Sequence, residues 1–293
     1  MLETFSPAGE LDVTPAISPP AHNTIVVEPG RGLLHLDLKA VWQYRELLYF
    51  LIWRGVKVRY KQTVIGAGWA ILQPLLTMAI FTLVFGNFAK VPSDGLPYPL
   101  FAFAALLPWN YFSQAITGGS TGLVTSSNLI TKVYFPRLII VLAAVATPVV
   151  DFLLSFLVLI AMMVWFGVAP TWGVLALPLF VLLAVATALA VGLWLSPLNV
   201  KYRDVGYTVP FLTQFWMYAS PVAYPVSVVP QKWRLVYSLN PMVGVIEGFR
   251  WALLGKQRPD FAVMAVSTTI VILLLATGVI FFKRMERAFA DVI

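Results

Sequence analysis

Residues 50–76 read FLIWRGVKVRYKQTVIGAGWAILQPLL, with Arg54, Lys57, Arg59 and Lys61 held between two apolar blocks. Such a stretch has three readings: the flank of a membrane span, a nucleic-acid patch, or a helix lying along a membrane surface. The rest of the chain removes the second. Of 293 residues 59% are hydrophobic and 11% charged, against about 25% charged in a typical soluble domain, and the mean hydropathy is +0.83. These values specify an integral membrane protein. The net charge of +7 then reflects lysines and arginines kept on the cytoplasmic side, with no nucleic-acid partner implied. With no cysteine, disulfides and thiolate metal sites are excluded. The two histidines, His22 and His35, precede the apolar blocks, which excludes a paired-histidine metal site in the membrane.

Working outward, apolar blocks recur from residue 64 at the length a bilayer demands, since ~20 residues rising 1.5 Å each cross a ~30 Å hydrocarbon core. Continuous apolar runs favour helices over barrel strands. The spans expected are 64–85, 98–116, 138–166, 174–195, 205–223 and 261–282, making an all-α membrane domain of six transmembrane helices over 64–293. With both termini cytoplasmic, 14 lysines and arginines fall inside and 6 outside, and five of those six lie between the fifth and sixth spans. That bias favours both ends inside. Residues 1–36 carry Pro7, Pro15, Pro19, Pro20 and Pro29 and no apolar run of signal-peptide length. They read as a disordered cytoplasmic arm.

The segment after the fifth span is apolar yet interrupted by Pro221, Pro225, Pro230 and Pro241. Asn240 before Pro241 is a helix-start signal and Gly255 a stop. The 14 residues between them give a helix of about 21 Å, too short to span. A hairpin over 223–256 that dips into the outer leaflet is expected, with Glu247 and Arg250 pairing at i, i+3; an ordinary surface loop is the alternative.

On a helical wheel from 41 to 61, Glu46, Arg54, Lys57 and Lys61 share one face, while Leu48, Tyr49, Ile52, Trp53, Val56 and Tyr60 cover much of the rest. This predicts an amphipathic interface helix over 37–63, the alternative being a plain basic flank. Arg59 sits on the apolar side, so it must snorkel or meet a partner. Asp151 is the one acid inside an expected span. A carboxylate there costs roughly 2.5–3.5 kcal/mol on insertion scales, so a partner is required. A proton relay lacks a second titratable group in the spans, which leaves a hydrogen bond to a neighbouring helix, with Arg250 of the hairpin the cation on offer.

ELLYFLIWRGVKVRYKQTVIGAGWAILQPLL (46–76), SSNLITKVYFPRLIIVL (126–142), LSPLNVKYRDVGYTVPFLTQFWMYASPVAYP (195–225) and LNPMVGVIEGFRWALLG (239–255) follow in order. Together they resemble the transmembrane subunits of type-2 ATP-binding-cassette exporters of polysaccharides and polyol phosphates, such as O-antigen, capsule and teichoic acid. The resemblance implies a permease of the bacterial inner membrane, working as a homodimer on two copies of a cytoplasmic ATPase to move a lipid-linked polysaccharide. ATP and magnesium would then belong to the partner. This chain has no G-x-x-x-x-G-K-[ST], and Gly255-Lys256-Gln257 lacks the earlier glycine and the hydroxyl residue. No catalytic residue, metal or cofactor is expected on it.

The resemblance also implies contact surfaces. Segment 126–137 suits a short coupling helix, with Asn128 near its start and Leu129, Ile130, Val133, Tyr134 and Phe135 pressing on the ATPase; a turn that docks nothing is the alternative. Arg203 and Asp204 form a second candidate contact, and the interface helix with Arg54, Lys57, Arg59 and Lys61, resting on membrane lipids, a third. Spans one and five of two copies would face each other across a conduit lined by Trp69, Phe81, Phe85, Phe211, Phe215, Trp216 and Tyr218. Aromatic faces let sugar rings slide without a directional grip, although such residues also pack in cores or face lipid. A membrane enzyme acting on lipid-linked sugars would need paired carboxylates or a metal cluster, and Asp204 beside Arg203 is the nearest arrangement. An ATP-independent carrier would show internal repeats.

Overall fold

The computed structural model describes residues 38–61, 66, 68–255 and 260–286. The arm expected over 1–36 and most of the junction at 61–68, between the expected interface helix and the first expected span, lie outside the described residues. Every regular element among the described residues is helical. Two helical pieces come first, α1 (Leu38–Gln43) and α2 (Arg45–Tyr60), followed by α3 (Gly68–Phe81), whose path continues as a π-helical segment, Thr82–Phe88. Then come α4 (Tyr98–Thr125), the short α5 (Ser127–Lys132), and α6 (Leu138–Ala146) with α7 (Val149–Trp165). A 3-10 turn at Trp172–Ala176 leads into α8 (Leu177–Lys201), and α9 (Asp204–Tyr218), α10 (Gln231–Tyr237), α11 (Pro241–Leu254) and α12 (Phe261–Glu286) complete the order.

Among the described residues, four helical stretches are long and apolar enough to cross a bilayer: Gly68–Phe88, Leu138–Trp165, Trp172–Lys201 and Phe261–Glu286. The other two expected spans depart from that pattern for separate reasons. The 28-residue α4 is diluted by Asn110, Gln114, Thr117, Thr121 and their polar neighbours. It is enclosed by α3, α6, α7, α8, α9 and α11, with Leu100, Phe103 and Phe112 fully buried, so protein takes the place of lipid around its upper half. With 15 residues, α9 measures about 22 Å, short of the hydrocarbon core.

The continuous helix expected over 138–166 is broken between α6 and α7 at Thr147 and Pro148. Proline lacks the N–H that would continue the ladder, and the Thr147 hydroxyl turns back to donate to the Ala143 carbonyl at 2.7 Å.

The segment after α9 is no open loop. Asn240 accepts from the Met242 N–H at 3.1 Å, satisfying one of the orphan donors at the start of α11. Gly255 ends that helix in the left-handed region (φ 62°) and donates to the Trp251 carbonyl, a conformation glycine adopts without strain. Between these caps Met242, Val243, Ile246 and Phe249 are fully buried against α12, α4 and α8. The Asn240 side chain also donates to the Ala219 carbonyl and Ser220 Oγ and accepts from Trp216 Nε1 at 2.9 Å. One residue thereby joins the end of α9 to the start of α11.

Candidate functional site

Helix α2 runs beside α6 and α7 in the same direction. Leu51, 6% exposed, enters an apolar cluster with Ile139, Ile140 and Ala143. One turn later Gly55 meets Thr147, where a Cβ would stand 2.8 Å from the threonine Oγ1. One turn further, Arg59 Nη1 donates to Asp151 Oδ2 and the Tyr60 hydroxyl to Asp151 Oδ1. Gly55 to Thr147 and Arg59 to Asp151 are both separated by 92 residues, so the two helices advance in step.

Asp151 is buried, and both of its oxygens accept a hydrogen bond. Arg59 Nη1 also reaches Gln114 Oε1 at 2.6 Å. Burial, and then the hydrogen bond to Asp151, push the Tyr60 phenol above its ordinary range, so it remains a donor. A cavity of about 220 Å³ adjoins this cluster, between α2, α3, α4 and α7.

The expected pairing of Asp151 with Arg250 is corrected by this arrangement. Arg250 is buried near the start of α4, where it stacks 3.6 Å from the Phe101 ring and donates to the Val222 carbonyl at 2.8 Å. Glu247 is its ion-pair partner at 3.4 Å. Phe101 and Gln114 are 13 positions apart on α4, about 20 Å along its axis. Arg250 serves the start of α4 and Arg59 its middle.

Along the 126–137 segment the apolar residues divide. Leu129 and Ile130 are half-buried against the cluster under α2. The chain leaves α5 extended at Val133, and successive side chains then point to opposite sides. Tyr134 is 71% exposed and Phe135 only 5%. Phe135, expected on the docking surface, is therefore part of the core, while Asn128, Val133 and Tyr134 face outward. Arg203 and Asp204 are exposed at the start of α9. Buried Asn199 braces that turn, donating to the Ser120 carbonyl and accepting from the Gly206 N–H, each at 2.9 Å.

The candidate aromatics divide in the same way. Phe211, Phe215 and Tyr218 are each more than half exposed on α9, and Tyr207, 85% exposed, extends their stripe at spacings of four, four and three. Tyr207 was missing from the expected set, although that spacing marks it. Trp216 turns inward to meet Phe112 edge-on at 5.1 Å. Phe81 is buried against Phe85 at 5.2 Å, whereas Trp69 remains exposed at the start of α3. On α2, Arg54, Lys57, Arg59 and Lys61 are exposed, and Lys57 Nζ stands 5.2 Å over the Trp53 ring.

The profile described as ABC-2 type transporter matches residues 46–254. The O-antigen export system permease protein RfbA of Myxococcus xanthus is 34% identical over 85% of this chain and 96% of its own length. A protein of the same name from Klebsiella pneumoniae is 25% identical over 85% and 95%. The polysialic acid transport protein KpsM of Escherichia coli is 20% identical over 81% and 93%.

Proposed function

This chain belongs to the ABC-2 type transporter family, and from that premise we propose that it is the permease subunit of an exporter that moves a lipid-linked, O-antigen-like polysaccharide across the bacterial inner membrane. The observation that carries the reading is the 34% identity over 96% of a protein named for O-antigen export. The aromatic stripe on α9 supports it, because its side chains are more than half exposed on the described protomer and suit a wall over which sugar rings pass.

Two copies would bring α3 and α9 face to face, with Trp69, Phe211, Phe215 and Tyr218 lining the conduit and Phe81, Phe85 and Trp216 bracing it from behind. Both α4 and α9 complete six crossings, α9 with the chain through Ala223. Helix α2, packed along α6 and α7, would present Arg54, Lys57 and Lys61 toward headgroups and the ATPase, with Arg59 turned to Asp151. Helices α10 and α11 form a re-entrant outer gate held by the Glu247–Arg250 pair. Two ATPase subunits would dock on Asn128, Val133, Tyr134, Arg203 and Asp204, bringing their own ATP and magnesium. Their closure shifts the population of permease conformers, and the chain performs no chemistry on its cargo.

Reconstitution tests this. Vesicles containing the permease and its co-expressed ATPase are expected to move lipid-linked glycan only when ATP is supplied, and neither protein alone should do so. Transport by the isolated chain on a proton gradient would overturn the reading.

A further inference from the structure

The cavity beside Asp151 has the chemistry of a ligand site. Its two charges are already matched to each other, since Arg59 and Asp151 form an ion pair. An anion entering it would compete with Asp151 for Arg59, and a cation would compete with Arg59 for Asp151. The remaining polar lining is neutral. Gln73 on α3 and Asn110 and Gln114 on α4 contribute three carboxamides. Among the described residues, the side chains of Gln73 and Asn110 make no hydrogen bond, and Gln114 uses only its oxygen, toward Arg59. Each carboxamide supplies two donors and an acceptor, so the cavity has unspent capacity of both kinds. Trp69 and Phe152 add aromatic faces to the lining.

Paired donors and acceptors beside aromatic faces, with no net charge to satisfy, match a polyhydroxylated ring. Hydroxyls donate and accept, while ring C–H groups pack on aromatic surfaces. The volume of about 220 Å³ equals that of roughly seven waters and falls below the ~300 Å³ typical of larger ligand pockets, a space that one ring would fill. Below Gln114 the same face of α4 carries Thr117, Thr121 and Thr125 at helical spacing. Each donates to the carbonyl four residues before it and keeps its oxygen as an acceptor. These hydroxyls continue the polar face of α4 toward α5.

We propose that this cavity binds a single neutral sugar ring. The inference names a subsite within the polysaccharide-export reading and rests on it for the source of the ring, which is either the terminal sugar of a glycolipid in the adjoining leaflet or a free sugar.

The test uses the permease with its ATPase in phosphatidylcholine nanodiscs, titrated with galactose, with N-acetylglucosamine, and with discs containing monogalactosyl diacylglycerol. Binding is followed by equilibrium dialysis or co-isolation and by tryptophan fluorescence. Saturable binding is expected for at least one probe, with affinity at least tenfold weaker in Asn110→Leu and in Gln73→Leu. Trp69→Phe should remove most of the fluorescence change and keep the dialysis signal. Gln73→Leu, at an exposed position, keeps the test open if Asn110→Leu fails to fold. Binding of a free sugar assigns recognition to the ring alone, and binding only in glycolipid discs assigns a membrane source. No saturable binding of any probe, or unchanged affinity in Gln73→Leu, overturns the proposal. Glycan export is measured in parallel. Loss of sugar binding with export intact removes the subsite and leaves the transport function standing, whereas sugar binding without any export does the reverse.

Discussion

At the scale of residues, Asp151 and Phe135 carry sharp expectations. Replacing Asp151 with leucine leaves Arg59 and Tyr60 without their acceptor. Breaking a buried pair typically costs 3–5 kcal/mol, and because the Arg59 side chain is 35% exposed we expect about 2 kcal/mol, read as a lower unfolding midpoint in detergent. Arg59→Met added to Asp151→Leu should recover most of that loss; an additive double mutant would show that the two groups act independently. Phe135→Ala should lower stability by about 3 kcal/mol through the cavity it opens. Tyr134→Ala should leave stability within about 0.5 kcal/mol and weaken co-purification of the ATPase. The reverse pattern would move the docking surface to the other face of the segment. That Asp151 needs a partner was legible in the chain, because a lone carboxylate in an apolar span is costly whatever surrounds it. Which cation serves it was not, since Arg59 and Arg250 offer the same charge and only packing puts one of them 20 Å away.

At the scale of elements, α2 is tied down more firmly than its wheel implies. Gly55 is the notch that lets α2 approach the break between α6 and α7, and valine there would drive a Cβ into the Thr147 hydroxyl. A loss of about 1–3 kcal/mol is expected from such overpacking, together with faster proteolysis of α2. Unchanged stability and protease resistance would show that the crossing yields without strain. Local chemistry made other elements readable. The limits of α11 follow from Asn240, Pro241 and Gly255, whose effects act within one turn. The break at Thr147 and Pro148 has only a proline as its local signal, and membrane helices tolerate proline when neighbours satisfy the freed carbonyl. The inward turn of Phe135 depends on an extended conformation that helix periodicity does not describe. Helix α4 outruns the expected span 98–116 because its C-terminal half is polar and lacks a lipid-like sequence.

At the scale of the whole molecule, the absence of native cysteine makes assembly directly measurable. A single Phe215→Cys chain in membranes should cross-link through a short bismaleimide to a band at twice the monomer mass, and Leu179→Cys, exposed on α8, should not. Equal cross-linking at both positions would argue against a dimer joined through α9. The pairing of Arg59 with Asp151 has a further consequence, in biosynthesis. Arg59 leaves the ribosome 92 residues before Asp151, which at typical synthesis rates is roughly 5–20 s. The guanidinium is therefore already made when the segment bearing the carboxylate reaches the translocon. The acid has its counter-ion waiting, and the order of synthesis helps carry an otherwise unfavourable span into the lipid.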